Sequence, residues 1–359
     1  LIENMNKIIP ALQHWGNING RDIYLYHLHN ANGVEVDVTN FGATITAITT
    51  PDRVGNFADI AFGYNNLQGY INDDHYIGAI VGRYANRIAG GLVELDGKFH
   101  QLTVKPGGYH HHGGAVGFNK KVWNPALIIN NGSPAIKMEY LSPDGEEGFP
   151  GNLLVTVTYT LNDQNQLIVD FLAKTDKTTL LNLTQHTYFN LAGHASGSIL
   201  EHELMMPLNS YLPVNKSQVP RGEIAPVSGT PFDFKCAKAI GKEINGDDEQ
   251  LILSDGYDHS WVIKNENSDE LKLAAQVIEP GSGRILTVYT TEPAVHLYPG
   301  NALDGVFGKD GAVYTRRSGF CLETQQYPDS PNQPHFPNTV LREGEVYKSR
   351  TIFEFGINK

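Results

Sequence analysis

Residues 155–160 read VTVTYT and residues 347–355 read YKSRTIFEF. In the first, Val155, Val157 and Tyr159 alternate with Thr156, Thr158 and Thr160. In the second, Tyr347, Ser349, Thr351, Phe353 and Phe355 alternate with Lys348, Arg350, Ile352 and Glu354. Side chains two apart share one face of an extended strand, so each stretch offers one face to a core. Similar short runs occur at 23–27, 34–38, 43–49, 135–141, 166–173, 271–278 and 284–289. Turn clusters separate them: Asp96-Gly97, Asn131-Gly132, Pro143-Asp144-Gly145 and Gly281-Ser282-Gly283. Helical periodicity is scarce. The pattern predicts an all-β chain built as a large antiparallel β-sandwich.

The chain has 359 residues, and its 37 glycines and 19 prolines are spread along it rather than gathered into a linker. Residues 1–359 therefore read as a single domain, since all-β units of this size are common. The segment 213–249 is the least regular and reads as a long surface excursion anchored by Phe232 and Phe234.

A net charge of −12 argues against nucleic acid or an anionic membrane surface as partner, because both would repel the chain. No apolar run approaches the ~20 residues that span a bilayer. A neutral small molecule is the expected ligand, and a monomer or weak homodimer the expected state. Cys236 and Cys321 are too few for a disulfide framework and lack the spacing of a zinc ribbon, so free thiols are expected. Residues 1–12, LIENMNKIIPAL, lack the apolar centre of a signal peptide, and either Met5 is the natural start or a leader has been removed. The cytoplasm is the favoured compartment, and export after leader removal the alternative.

Five segments offer chemistry. His186 in QHTYFNLAG and Glu323 in GFCLETQQYPD are ionisable groups in strand-like, aromatic surroundings, where an acid and a base can be held rigid and partly desolvated. Tyr188 and Phe189 beside His186 could stack on the C–H face of a pyranose. Glu323 shares parity with Cys321 and Gln325 in an otherwise uncharged strand, which is costly without a purpose or a partner such as Arg316 or Arg317. In GRYANRIAG, Asn86 and Arg87 could hold sugar hydroxyls, or Arg87 could pair with a carboxylate. In GYHHHGG, alternation predicts that His110 and His112 share a side while His111 points away, a poor geometry for a three-ligand metal centre. His112, next to Gly113-Gly114, is the best binding candidate of the three. In GYDHSW, Asp258 and His259 point to opposite faces, so only one can enter a given cavity; Asp258 could accept a sugar hydroxyl or cap a turn.

Taken together and in order, GRYANRI, HHHGG, QHTYFNLAG, GYDH, YPGN with LDG, and CLETQQYPDSPNQ resemble the motif series of the aldose 1-epimerases, the galactose mutarotases. The resemblance runs from about Phe41 to Gly356 and includes SPDGEEGFPG at 142–151 and GTPFDF at 229–234. It implies a galactose mutarotase-like supersandwich with a sugar cleft across a concave sheet. It further implies His186 as general acid, Glu323 as general base, and Asn86, Arg87, His112, Tyr188 and Asp258 around the sugar. Two positions depart from the family pattern: His111 stands where many relatives carry Leu, and His296 where many carry a sugar-binding Gln. His296 is kept as a substrate-binding candidate whose role affects preference.

The implied reaction interconverts α and β anomers of free aldohexoses such as galactose and glucose by ring opening and reclosure. It requires no metal and no cofactor, and the sequence shows no GxGxxG after a strand. Glu323 is expected to be ionised near neutral pH and His186 to titrate near working pH. The alternatives are a non-catalytic carbohydrate-binding protein on the same fold and a glycoside hydrolase using Asp258 with Glu323. A hexose-phosphate epimerase is disfavoured by the lack of a basic cluster beyond Arg87.

Overall fold

A computed structural model of the protein describes residues 11–264 and 269–358. The reading of Met5 as a start lies outside them. The alternating stretches are strands: Leu153–Leu161 carries 155–160 and Tyr347–Ile357 carries the second pattern. Val155, Val157, Tyr159, Phe353 and Phe355 are buried, whereas Lys348 and Arg350 are exposed. The predicted runs fall on strands to within one residue, and Asn131-Gly132 and Gly281-Ser282-Gly283 join neighbouring antiparallel pairs.

Three sheets carry the architecture. Ala11–Ile18, Arg21–His29, Glu35–Thr39, Thr44–Pro51 and Phe57–Asp59 form a five-stranded antiparallel meander. A nine-stranded sheet runs in the order Asn124–Asn130, Ser133–Ser142, Leu153–Leu161, Gln166–Thr175, Tyr347–Ile357, Arg284–Thr290, Lys272–Ile278, Glu203–Met205, Lys238–Ala239. A second five-stranded sheet runs Ala225–Pro226, Ser210–Leu212, His259–Val262, Ala294–Tyr298, Cys321–Gln325. One apolar cluster joins all three, with Leu28, Val36 and Ile45 from the first, Val157, Val169 and Phe353 from the second, and Trp261, Val295 and Leu322 from the third. Burying each such side chain is worth roughly 1.5–3 kcal/mol, which makes this shared core the reason the sheets close on one another. The chain is an all-β antiparallel sandwich.

Helices are minor. Leu67–Asn72 is capped by Asn66, whose side chain accepts from Gly69 N, and Glu249–Ser254 by Asp248, which accepts from Gln250 N. Among the described residues no helix is long and apolar enough to cross a membrane. Phe232 and Phe234 are fully buried, as expected of anchors, and both belong to the main core. Cys236 is exposed and Cys321 buried, and neither is in a disulfide.

Candidate active site

The third sheet supplies the floor. In its register Ser260 lies opposite His296, and His296 opposite Glu323, so the three side chains form one row across three strands and share a face. Parity within Cys321–Gln325 puts Cys321 and Gln325 on the same face as Glu323, as the sequence predicts.

His186 comes from outside this sheet, just past the short strand Thr184–Gln185. Its backbone is clamped on both sides, donating to Ala79 O at 2.9 Å and accepting from Gly78 N at 3.0 Å. The ring then projects over the row, with Nε2 3.6 Å from Glu323 Oε1 and Nδ1 3.5 Å from Cys321 Sγ. Only 3 % of His186 and 2 % of Glu323 is exposed. Neither Arg316 nor Arg317 is Glu323's partner; the first pairs with Asp255 and the second binds Asn301 and Asn245.

His112 enters by a route that strand alternation does not anticipate. Tyr109–His111 pairs with Arg87–Ala89, but His112 has left the strand at φ +47°, so its side chain does not follow the alternating pattern. His111 and His112 both line the cavity, while His110 turns away to bond Thr103 O and pack on Phe149. The expected pairing of His110 with His112 is therefore corrected: a turn begins where an extended segment was assumed. Gly113 makes that turn possible at φ +86°, since a Cβ there would lie 1.9 Å from Gly82 O. Asn86, at φ +62°, locks the result: its N–H donates to His112 Nδ1 at 3.0 Å and its carbonyl accepts from His112 N at 3.1 Å.

Asp258 is the member of its dipeptide that enters the cavity, and His259 packs away against Tyr211 and Phe232. Both Asp258 oxygens are used, Oδ1 by His296 Nε2 at 2.6 Å and Oδ2 by Arg87 Nη2 at 3.2 Å. His296 Nδ1 faces Ser260 Oγ at 2.9 Å and Asn86 Nδ2 at 3.4 Å. Both of its ring nitrogens thus have protein partners, and one of these is Asp258. Tyr188 packs beside His186 at 5.2 Å between ring centres, with its hydroxyl donating to His75 O.

Three buried polar atoms on residues lining the cavity have no protein hydrogen bond among the described residues: Glu323 Oε2, Arg87 Nε and Ser254 Oγ. A buried acceptor and donor left open in this way cost stability unless a ligand satisfies them.

Burial pushes the Glu323 carboxyl up to about 8; the nearby Asp258 carboxylate adds to the rise and Arg87 offsets part of it. Burial likewise pulls the His186 imidazole down to about 4, with His296 adding to the fall. The expectation of an ionised Glu323 and a His186 titrating near neutrality is corrected accordingly, because a dry cavity disfavours both charges. For Asp258 burial acts upward, but Arg87 and His296 outweigh it and hold the carboxyl well below its usual range. His112 is kept neutral by burial and by neighbouring His111 and His186.

His112, His186 and Glu323 each offer one atom within 4.8 Å of the others, a spacing that a metal ion could bridge. However, the Asn86 amide occupies His112 Nδ1, which leaves the proton on Nε2. That nitrogen is better suited to donate to an oxygen than to bind a cation. The cavity encloses about 340 Å³ and is lined by Asn86, Arg87, His112, His186, Tyr188, Asp258, His296 and Glu323, whereas Phe189, offered with Tyr188 as a stacking ring, is buried in the main core. The cavity also includes Tyr298 and Asn301, the ends of the YPGN fragment, and Tyr76 and Gln218, which lie outside every quoted fragment.

The sequence profile of the aldose 1-epimerase family matches residues 24–354. The chain belongs to the aldose 1-epimerase family. It is 46% identical to the galactose mutarotase of Sus scrofa over 325 residues, 90% of this chain and 92% of that one. It is 36% identical to the aldose 1-epimerase of Escherichia coli K12 over 339 residues, 94% of this chain and 96% of that one. The crystal structure of galactose 1-epimerase from Lactobacillus acidophilus superposes with a TM-score of 0.86 at 28% identity, covering 98% of this chain and all of that one. As a family member the chain keeps its chemistry-bearing fragments on one cavity even though they are dispersed over more than two hundred residues.

Proposed function

We propose that this aldose 1-epimerase interconverts the α and β anomers of free aldohexoses such as galactose and glucose, with Glu323 and His186 exchanging protons with the hemiacetal. The observation that carries the assignment is the 3.6 Å separation of His186 Nε2 and Glu323 Oε1 at a buried cavity. O1 and O5 of a pyranose are bonded to the same carbon, so the acid and base that act on them must lie close together.

In ring opening, the Glu323 carboxylate takes the O1 proton, the O1 electron pair forms the C1 carbonyl, and the C1–O5 bond breaks onto O5. The His186 imidazolium protonates O5. After rotation about C1–C2, neutral His186 takes the O5 proton back while protonated Glu323 returns one to O1 on the other face. Opening starts from carboxylate and imidazolium, closing from carboxylic acid and imidazole. Both states hold one proton across the pair; the raised Glu323 and lowered His186 affinities keep that count over a wide pH range with the proton resting on Glu323, so opening proceeds through the minor carboxylate–imidazolium form.

His112 Nε2–H donates to O1 as carbonyl character develops, and Arg87 Nε and Asn86 hold hydroxyls on the sugar edge. Tyr188 closes the apolar wall. Asp258 supports this arrangement by fixing Arg87 and His296. The glycoside hydrolase alternative loses support because Asp258, its second carboxylate, has both oxygens committed. The lack of a disulfide supports a reducing compartment, and the net charge of −12 a neutral sugar rather than a phosphorylated one. Polarimetry of freshly dissolved α-D-glucose and α-D-galactose tests the activity: decay to equilibrium faster than in buffer supports it, and binding without acceleration would favour the non-catalytic alternative.

A further inference from the structure

Gln218 is among the polar side chains of the cavity that the proton chemistry does not use. Gln218 sits in a loop whose base is bridged between Val214 and Pro220 and whose backbone is held by Asn215, which accepts Ser217 N and Val219 N on Oδ1. It adopts φ +58°, a left-handed conformation uncommon for a residue with a side chain, and this places it at the cavity wall. Arg87 Nη2 donates to Gln218 Oε1 at 2.7 Å, and Nη1 approaches the Gln218 backbone carbonyl at 3.4 Å.

This contact fixes the amide. With its oxygen turned to the guanidinium, the Nε2 donors face away from Arg87, and among the described residues they meet no acceptor. A donor oriented by one end and open at the other, beside the guanidinium that holds the sugar edge, is suited to read a hydroxyl.

We propose that Gln218 is a specificity-determining residue that donates from Nε2 to one ring hydroxyl of the aldose, on the edge held by Arg87. The inference rests on the aldose 1-epimerase reading above. A site that offers a donor discriminates against sugars lacking the matching hydroxyl, because the donor is then left unpaired.

The test compares wild type with Gln218→Met by polarimetry on glucose and its 2-, 3-, 4- and 6-deoxy derivatives, all of which retain the hemiacetal. On glucose the substitution should raise KM about three- to tenfold while kcat stays within about twofold, the scale of one neutral hydrogen bond. For one deoxy sugar the difference between variant and wild type should vanish, since the partner hydroxyl is already gone; the others should keep the glucose ratio. Gln218→Leu should reproduce the pattern, which ties it to the missing donor rather than to the thioether. The same ratio for every sugar would mean that Gln218 only braces Arg87, and would overturn the proposal, as would an unchanged KM on glucose. Wild-type turnover of glucose is measured first, so failure of the parent activity, which would sink both readings, is seen separately.

Discussion

Glu323 Oε1 lies 3.6 Å from His186 Nε2, while its other oxygen, Oε2, is buried without a protein donor. The carboxyl group thus has one oxygen beside the imidazole and one without a protein partner. A structural ion pair would use both oxygens, as Asp258 does.

Removing either partner should cost turnover and spare the fold. Glu323→Gln and His186→Asn should each lower kcat by about 10²-fold or more, the usual scale for losing a positioned acid or base. Polarimetry on both sugars measures it; wild-type rates in both variants would refute the assignment.

The pH profile should be bell-shaped. Competence requires one proton on the pair, so kcat/KM should fall below about 4, where His186 and Glu323 both carry protons, and above about 8, where the last proton leaves. Initial rates corrected for the uncatalysed reaction at each pH decide it. A rate that climbs steadily through pH 8 would mean that only the carboxylate matters and that His186 is no proton donor.

The same burial makes Glu323 a cost to the folded state. Its pKa rises from 4.5 unfolded to about 8 folded, so the folded chain binds more protons in that window and loses stability as pH rises through it. Glu323→Gln removes the ionisation and should be more stable than wild type by on the order of 2–3 kcal/mol at pH 7, with the gain shrinking toward pH 5. Urea titrations at the two pH values compare them; a variant less stable at pH 7 than at pH 5, relative to wild type, contradicts the sign.

Asp258 acts on the Glu323 carboxyl at a distance. Its negative charge raises the Glu323 pKa, so Asp258→Asn should move the alkaline limb of the pH profile to lower pH while raising KM through the loosened Arg87. An alkaline limb that stays in place or moves upward would remove this coupling.

His296→Gln probes the residue that holds Asp258. An amide can keep one of the two bonds, to Asp258 or to Ser260, so sugar preference should change more than maximal rate. Kinetics on galactose and glucose measure it, and equal effects on both would count against an orienting role.

Much of the fold is legible in local sequence. VTVTYT at 155–160 and YKSRTIFEF at 347–355 announce strands because burial on one face of a sheet imposes a two-residue period. The parity of Cys321, Glu323 and Gln325, and the divergence of Asp258 from His259, follow from the same rule and match the structure. The rule fails at His112, where a positive φ replaces the strand, and it is silent on Gln218, whose loop reaches Arg87 from more than a hundred residues away.

The residues themselves determined an antiparallel β chain and, through six fragments in order, the family. Only the tertiary structure decided that His186 stands over Glu323, that His296 is bound to Asp258 rather than free for a sugar, and that both members of the pair have displaced proton affinities. The physical reason is that side-chain direction along a strand is a local property, whereas separation, desolvation and the charge of neighbours depend on which strands and loops the core brings together.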